Sequence, residues 1–430
     1  MSIIKFFWKI EDKFKKSYWK RLIFNSGCAI INAHKNYLKK LHYGGIDFMR
    51  ILILSCNTGG GHNSAAAALK EYFDSKDIFC EVRDALAFDS RLKSDIISKG
   101  DILLYKKAPK LFAFGYRFAE KHPSKPGYES LMYTIMKSGT EKLYDYLCDN
   151  DFQAVLCTHV FAGMMMTEIR KRYDSDVRFY FVATDYASYP GIEEVHADAY
   201  FIANKNLIPD YMDYGISEND LIPVGIPIKR AFYKSLSKER AKEILGLPQD
   251  KRAVLLMCGS IGCGPIYNLG MKILKKLPDD TVLVVICGSN EKLFKKFQKY
   301  TGSDNLHVVG YTNKMNIYMD ACDMVVTKPG GLSSTESATK LLPMVLMGEP
   351  VACEVRNMEF FLKNDFAVTS DTLDGLADET AALLNDSEKM SEVIDLLKST
   401  FSIYSAGVIG DYVIAAADND LEFGELVLQD

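Results

Sequence analysis

Three glycine-rich turns carry residues that can do chemistry. Thr58-Gly59-Gly60-Gly61-His62 follows the apolar run Ile51–Ser55, read as a buried strand, and opens Ser64–Phe73, read as a helix. Glycines let the backbone approach a ligand closely, and a helix N-terminus offers free N–H groups and positive potential. His62 at that mouth can donate to a phosphate or take a proton from a hydroxyl. The same residues also suit a tight turn with a capping histidine. Cys258-Gly259-Ser260-Ile261-Gly262-Cys263-Gly264 repeats the device and forms a second candidate phosphate cradle. Thr327-Lys328-Pro329-Gly330-Gly331 ends a further strand, with Ser333, Ser334 and Thr335 as helix caps and Glu336 in the first turn. A carboxylate there serves the helix dipole or binds two ribose hydroxyls. None of the turns is a Walker A sequence or a clean G-x-G-x-x-G, so they name no nucleotide by themselves. Asp185 and His159 each stand just past a strand, where α/β sites are built. A helix cap explains either equally well.

The elements that must position these turns alternate in type. Strands are expected at Ile51–Ser55, Ala154–Cys157, Arg178–Ala183 and Ala199–Ile202, with helices between them. After Leu221–Arg230, a stretch with two prolines and a glycine that reads as an interdomain link, the rhythm restarts. The later strands are Ala253–Met257, Val282–Cys287, His307–Val309, Met324–Thr327 and Met344–Leu346. This predicts an α/β protein with two doubly wound parallel sheets and a ligand cleft at the carboxyl ends of their strands. A length of 430 residues fits two domains. The expected division is an extension over 1–48, a first domain over 49–228, a second over 229–404, and a helix and tail over 405–430 that return to the first domain.

Composition narrows the class. Apolar residues make up 48% and charged residues 25%, which excludes disorder and low-complexity assemblies. No apolar run is expected to reach the roughly 20 residues that span a bilayer. Ten cysteines include no CxxC pair, so they read as reduced, buried thiols. Asp174-Ser175-Asp176 and Asp418-Asn419-Asp420 imitate a metal-binding D-x-D but sit in polar turns. The methionine-rich stretch Phe161–Met166 reads first as core, with an apolar substrate tail as the alternative.

Charge is uneven. The chain carries −4 overall, yet residues 1–50 hold eleven Lys/Arg and three Asp/Glu. Ile3, Phe7, Ile10, Phe14 and Tyr18 fall on one helical face, lysines fill the flanks, and both tryptophans, Trp8 and Trp19, lie here. Such a helix suits an anionic lipid surface. Packing on the protein's own body is a second reading, and a nucleic-acid or protein partner a third.

Several motifs together resemble one family. MRILILSCNTGGGHNSAAAAL, YFVATDY, ADAYFIANKNL, LIPVGIPIKRAF and MVVTKPGGLSSTESATKLLPMV are similar to segments of the monogalactosyldiacylglycerol synthase and processive diacylglycerol glucosyltransferase family, of family 28 type. The resemblance runs from about Met49 to about Phe361. It implies a GT-B fold, with the acceptor on the first domain and a UDP-sugar on the second. It implies an inverting transfer of a hexose from UDP-glucose or UDP-galactose to the hydroxyl of diacylglycerol. UDP-sugar is then a co-substrate, no cofactor or metal is required, and nucleic acid is no partner. The enzyme would be cytoplasmic and peripheral on the inner face of the cell membrane, held there through residues 1–48. A polyprenyl-type lipid acceptor and a non-catalytic UDP-sugar sensor are the alternatives. An epimerase of the same architecture ranks below both.

By position, the resemblance makes His62 the candidate base, with Asp185 second. Gly59, Gly60 and Gly61 would face the acceptor and the donor diphosphate. Gly259, Ser260 and Gly262 would line the diphosphate or sugar, and the backbone from Tyr311 to Met315 would meet the uracil. Lys328, Gly330, Gly331 and Ser334 would form the phosphate-side loop, and Glu336 would hold the ribose. Glu354 and Asn357 keep the family's donor-side positions. Ala352-Cys353 stands where the family has Gly-Gln, so the glutamine expected on the donor sugar is a cysteine.

Overall fold

The computed structural model describes residues 49–57, 60–90, 94–97, 100, 108–123, 129–259, 262, 264–300, 304–348 and 352–417. The basic extension 1–48, Gly59, Ser260 and the tail 418–430 lie outside the described residues.

Two six-stranded sheets form, and every strand pair in them is parallel. The first contains β1 (Arg50–Ser55), β2 (Phe79–Asp84), β3 (Ala154–Cys157), β4 (Arg178–Val182), β5 (Ala199–Ile202) and β6 (Leu221–Pro223), in the order β2-β1-β3-β4-β5-β6. The second contains β7 (Arg252–Met257), β8 (Thr281–Ile286), β9 (Leu306–Val309), β10 (Met324–Thr327), β11 (Met344–Leu346) and β12 (Ala367–Thr369), in the order β12-β11-β10-β7-β8-β9. The helices that matter below are α1 (Gly60–Asp74), α2 (Pro109–Lys121), α3 (Leu131–Met136), α4 (Val160–Tyr173), α5 (Ile266–Lys276), α6 (Gly331–Thr339), α7 (Cys353–Lys363) and α8 (Ser405–Ala417).

Burial explains the strands. Ile51 and Ile53 pack into one apolar cluster with α1 and α8, while Leu52 and Leu54 face the opposite cluster. Alternate side chains point to opposite faces, so an unbroken apolar run becomes a strand covered on both sides. Val254 and Leu256 divide from Ala253 and Leu255 in the same way. The inner layers of both sheets belong to a single apolar cluster, which runs continuously from one half to the other.

The expected strands are present, with ends shifted by one residue at most. Three more were not foreseen. β2 alternates Cys80 and Val82 with Glu81 and Arg83, as a half-exposed edge strand does. β6 begins the stretch read as a link, and its Pro223 sits at the sheet edge, where a missing N–H costs no ladder bond. β12 has only three residues.

The sequence expectation of no membrane-length apolar run also needs correction. Ser387–Ala417 is long and apolar enough to span a bilayer by length and composition. It is two helices, however, Ser387–Thr400 and α8, and α8 buries Ala406, Ile409 and Val413 against α1 and the first sheet. Gly410 leaves room for the Tyr72 ring, whose hydroxyl donates to Asp411.

In each sheet the strand order reverses at one place, between β1 and β3 and between β10 and β7. Crevices open at such points, outside the carboxyl ends of the strands. The three glycine-rich turns leave β1, β7 and β10, so topology delivers them to these two crevices.

Candidate active site

α1 starts at the end of β1 and presents His62 in its first turn. The imidazole Nδ1 lies 2.7 Å from the Thr158 carbonyl oxygen, just beyond β3. A carbonyl only accepts, so Nδ1 carries the proton and Nε2 keeps the lone pair. Thr184 Oγ1 is 3.0 Å from the same nitrogen and 3.4 Å from Asp185 Oδ2. Thr184 can therefore accept from His62 and donate to Asp185. Burial pulls the His62 pKa below its ordinary value, and the Asp185 charge pulls it part of the way back. His159 packs edge-on against His62, with ring centroids 4.5 Å apart. Its own Nδ1 accepts from the Phe161 N–H as the cap of α4, and burial, then His62, push its pKa well down. The ambiguity over His159 thus resolves to a helix cap that also walls the site. A neutral His62 with one nitrogen fixed and the other holding a lone pair has what a general base needs.

The other half meets this group directly. A Cβ added to Gly331, the first residue of α6, would stand 2.0 Å from the Thr184 carbonyl oxygen and 2.9 Å from Asp185 Oδ1. A Cβ on Gly61 would be 3.3 Å from Leu332. The N-termini of α1 and α6 therefore converge on one cleft. Two positive helix ends at one place suit a diphosphate. Gly60 is exposed at the start of α1, and Gly330 is the N-cap of α6, so Ser333, Ser334 and Thr335 lie inside the helix rather than capping it and Glu336 falls beyond its first turn.

Lys328 lies on the second face of the cleft. Its Nζ donates to Glu354 Oε1 at 2.6 Å, and its stem runs beside Gly259 and Gly330. Gly259 and Gly262 have φ near +60°, a conformation that favours glycine. Gly262 is held against its own chain. A Cβ there would lie 2.1 Å from the Cys287 carbonyl oxygen, and Asn290 donates to its carbonyl. This glycine shapes the turn before α5 rather than making room for a ligand. The hydroxyls of Ser334 and Thr327 are buried and find no hydrogen-bond partner among the described residues. Burial raises the Glu336 carboxyl to about 8, with Lys229 opposing. Tyr311 is exposed on the loop after β9, and Met315 opens the next helix, half-buried.

Asn357 departs from expectation. It is wholly buried in α7. Its Nδ2 donates to Asp185 Oδ1 at 2.7 Å and to the Pro329 carbonyl at 3.0 Å, and its Oδ1 accepts from the Tyr186 N–H at 2.6 Å. Both Nδ2 hydrogens and one Oδ1 lone pair are thus taken by the protein. Cys353, one turn earlier, lies near Asp185 as well, and burial raises its thiol pKa well above the ordinary value. Ala352 before it keeps a φ of 54° despite its Cβ. Asp185 is thus held from the second half.

Sequence reasoning missed Tyr186, whose hydroxyl pairs with Thr335 at 2.7 Å and whose ring stacks on Phe360. It also missed a chain of side chains behind the first glycine turn. Ser55 donates to Asn63, Asn63 to Asn57, and Asn57 to Asp84. The asparagines flanking the glycines were the available signal. Met164, Met165 and Met166 are core residues. Among the described residues, no three His, Cys, Asp or Glu side chains gather as a metal ion would need.

α2 borders the cleft. Its Tyr116 lies among Cys353 and Asp185, and its Glu120 pairs with Arg356 of α7 at 3.2 Å. The other face exposes Leu111, Phe114 and Phe118, and α3 exposes Leu131.

Comparison with known proteins bears on the family and the fold. The family model of monogalactosyldiacylglycerol (MGDG) synthase matches residues 62–228, and that of glycosyl transferases group 1 matches residues 238–396. A processive diacylglycerol beta-glucosyltransferase of Staphylococcus aureus is 24% identical over 272 residues, which cover 63% of this chain and 69% of the relative. Among solved structures, S. aureus MnaA with UDP has a TM-score of 0.57 at 14% identity, covering 87% of this chain and 98% of its own. Acinetobacter baumannii MurG has a TM-score of 0.55 at 15% identity, covering 85% and 99%. Anabaena HepE in complex with UDP-glucose has 0.52 at 11%, covering 86% and 100%. The two halves are the Rossmann-like domains of a GT-B fold.

Proposed function

We propose that the chain belongs to the family of monogalactosyldiacylglycerol synthases and processive diacylglycerol glucosyltransferases, and that it moves a hexose from a UDP-sugar to the hydroxyl of diacylglycerol with inversion at the anomeric carbon. It is a UDP-sugar-dependent lipid glycosyltransferase. The observation that carries the finer reading is the His62 imidazole, fixed through Nδ1 on the Thr158 carbonyl beside two converging helix N-termini.

The acceptor hydroxyl gives its proton to His62 Nε2 as its oxygen attacks the sugar C1. The bond from C1 to the diphosphate oxygen breaks on the opposite face, and UDP leaves with the electron pair. Thr184 and Asp185 support the imidazolium that forms. The N-terminus of α6 and Lys328 face the charge that grows on the diphosphate. Dipoles already oriented in the folded protein stabilise such charge without reorganising. The ribose hydroxyls fall to Glu336. Chemistry on a water-insoluble acceptor takes place at a lipid surface, and the apolar face of α2 beside the cleft supports that placement on the inner leaflet.

A product assay tests the reading. The protein is mixed with anionic vesicles containing diacylglycerol and offered UDP-glucose, UDP-galactose or UDP-N-acetylglucosamine separately, and the lipids are read by mass spectrometry. One glycosyl-diacylglycerol is the expected product. UDP binding with no glycolipid from any donor overturns the diacylglycerol assignment.

A further inference from the structure

Asn357 connects the two sides of the cleft through one amide. On the acceptor side it holds the Asp185 carboxylate and the Tyr186 N–H, and on the donor side it holds the carbonyl of Pro329. Pro329 lies in the turn between β10 and α6, next to Lys328 and the N-terminus of α6. Asp185 in turn faces Thr184, which contacts His62 Nδ1. A continuous path of hydrogen bonds therefore runs from the donor turn through Asn357 and Asp185 to the imidazole. Cys353 and Asn357 are four residues apart on α7, so both reach Asp185 from one helix face. A buried amide with both of its ends bonded has few other positions open to it.

We propose that Asn357 is a positioning residue that couples the donor turn to the base, by holding the Asp185 carboxylate where it supports His62. This rests on the catalytic reading of the cleft above but makes a separate demand. In that arrangement the setting of the base depends on the donor half being docked, and hydrolysis of the donor before the halves meet is disfavoured. The titratable groups that face His62 are Asp185 from the loop after β4 and His159 at the start of α4, with Tyr189 reached through Thr184.

The test uses the full chain with Asn357→Ala and with the exchange Asp185→Asn/Asn357→Asp. The exchange keeps an amide–carboxylate bond between the halves, gives up the donation to the Pro329 carbonyl, and moves the charge away from His62. His62 is titrated by NMR without acceptor, UDP affinity is measured by calorimetry, and turnover is measured at saturating substrates. In Asn357→Ala, the His62 midpoint is expected to move to lower pH, since the carboxylate no longer stays in place to favour the imidazolium. Turnover is expected to fall about ten- to a hundredfold, the usual cost of a misplaced catalytic group. UDP affinity should stay within about twofold, as for an independent site. The exchange variant should recover part of the melting temperature while its His62 midpoint and turnover remain low. An unchanged His62 midpoint overturns the proposal, and so does a UDP affinity that falls in step with turnover, which would make Asn357 a donor ligand. Recovery of turnover by the exchange would reduce the amide to a structural stitch. If Asn357→Ala does not fold, the exchange variant alone decides. The NMR midpoint needs no glycolipid product, so failure of this proposal is distinct from failure of the diacylglycerol reading.

Discussion

Gly331 and Thr184 meet across the cleft so closely that one added carbon would not fit: a Cβ on Gly331 would lie 2.0 Å from the Thr184 carbonyl oxygen. The contact joins the first residue of the donor-side helix to the residue that touches the candidate base. Gly331 needs no unusual backbone angle, as it is helical. Alanine would even favour the helix there by about 1 kcal/mol. The expected outcome of Gly331→Ala is therefore decided by the contact alone. The halves should separate, the radius of gyration measured by solution scattering should grow, and turnover should fall at least about tenfold, as in other misplaced sites. An unchanged radius with normal turnover would mean that catalysis needs no such approach.

A second expectation concerns acid pH. Burial lowers the His62 pKa, and only the unprotonated imidazole accepts the hydroxyl proton. The acid limb of kcat/KM should fall below the ordinary imidazole value of about 6.5. His62→Ala should abolish that limb and cut turnover by about 10²–10⁴-fold, the range for a lost general base. A limb that survives in His62→Ala belongs to another group.

Glu336 gives a prediction of opposite sense. Its carboxyl titrates near 8 in the folded protein and near the ordinary glutamate value when unfolded. The folded state therefore binds the extra proton between those values, and stability falls as pH rises through that window. Glu336→Gln should flatten the decline between about pH 5 and 8 seen in thermal unfolding of the parent. Ribose hydroxyls that donate to the carboxylate favour its charged form, so UDP binding near pH 7 should release a proton. Calorimetry in buffers of different ionisation enthalpy measures that release, and no buffer dependence would remove Glu336 from the ribose.

Much of the fold was legible because it is written locally. Ile51–Leu54 and Val282–Ile286 are apolar without interruption, and only a strand buried on both faces uses such a run. β2 was not legible, since Glu81 and Arg83 interrupt it. The glycine turns were legible for the same local reason as the strands. The partner of His62 was not: the Thr158 carbonyl is backbone, and any residue supplies one. Asn357 and Asp185 are 172 positions apart, and spacing along the chain does not reveal that the two halves share a hydrogen bond. The family resemblance therefore put Asn357 among the donor ligands, while in the fold its amide turns inward to Asp185, Pro329 and Tyr186.

The Lys328–Glu354 pair separates electrostatic binding from folding. Glu354 is buried and Lys328 partly exposed, at 2.6 Å. Removing the lysine alone leaves a buried carboxylate without this partner, so Lys328→Met should cost about 1–3 kcal/mol, less than a fully buried pair because water reaches the lysine. Lys328→Met/Glu354→Gln should recover that stability in chemical denaturation. It should not recover UDP affinity, which depends on the cation. Recovery of both would make the pair structural only.

The last prediction concerns α2. Leu111, Phe114 and Phe118 are 61%, 65% and 57% exposed and follow steps of three and four residues, which is one helix face. The opposite face bears Tyr116 and Glu120 toward α7 and the cleft. From Lys106 to Lys125 the sequence holds six Lys/Arg and one acidic residue, Glu120. An apolar face within a basic stretch suits an anionic bilayer. Burying each side chain is worth about 1.5–3 kcal/mol, so Leu111→Ser/Phe114→Ser/Phe118→Ser should weaken vesicle partitioning at least about tenfold. These side chains have little core packing to lose, so the melting temperature should hold. Turnover of diacylglycerol in vesicles should drop, while turnover of a short-chain, water-soluble diacylglycerol should not. Equal losses on both acceptors would place the face in acceptor binding, and no loss on either would leave membrane contact to other parts of the chain.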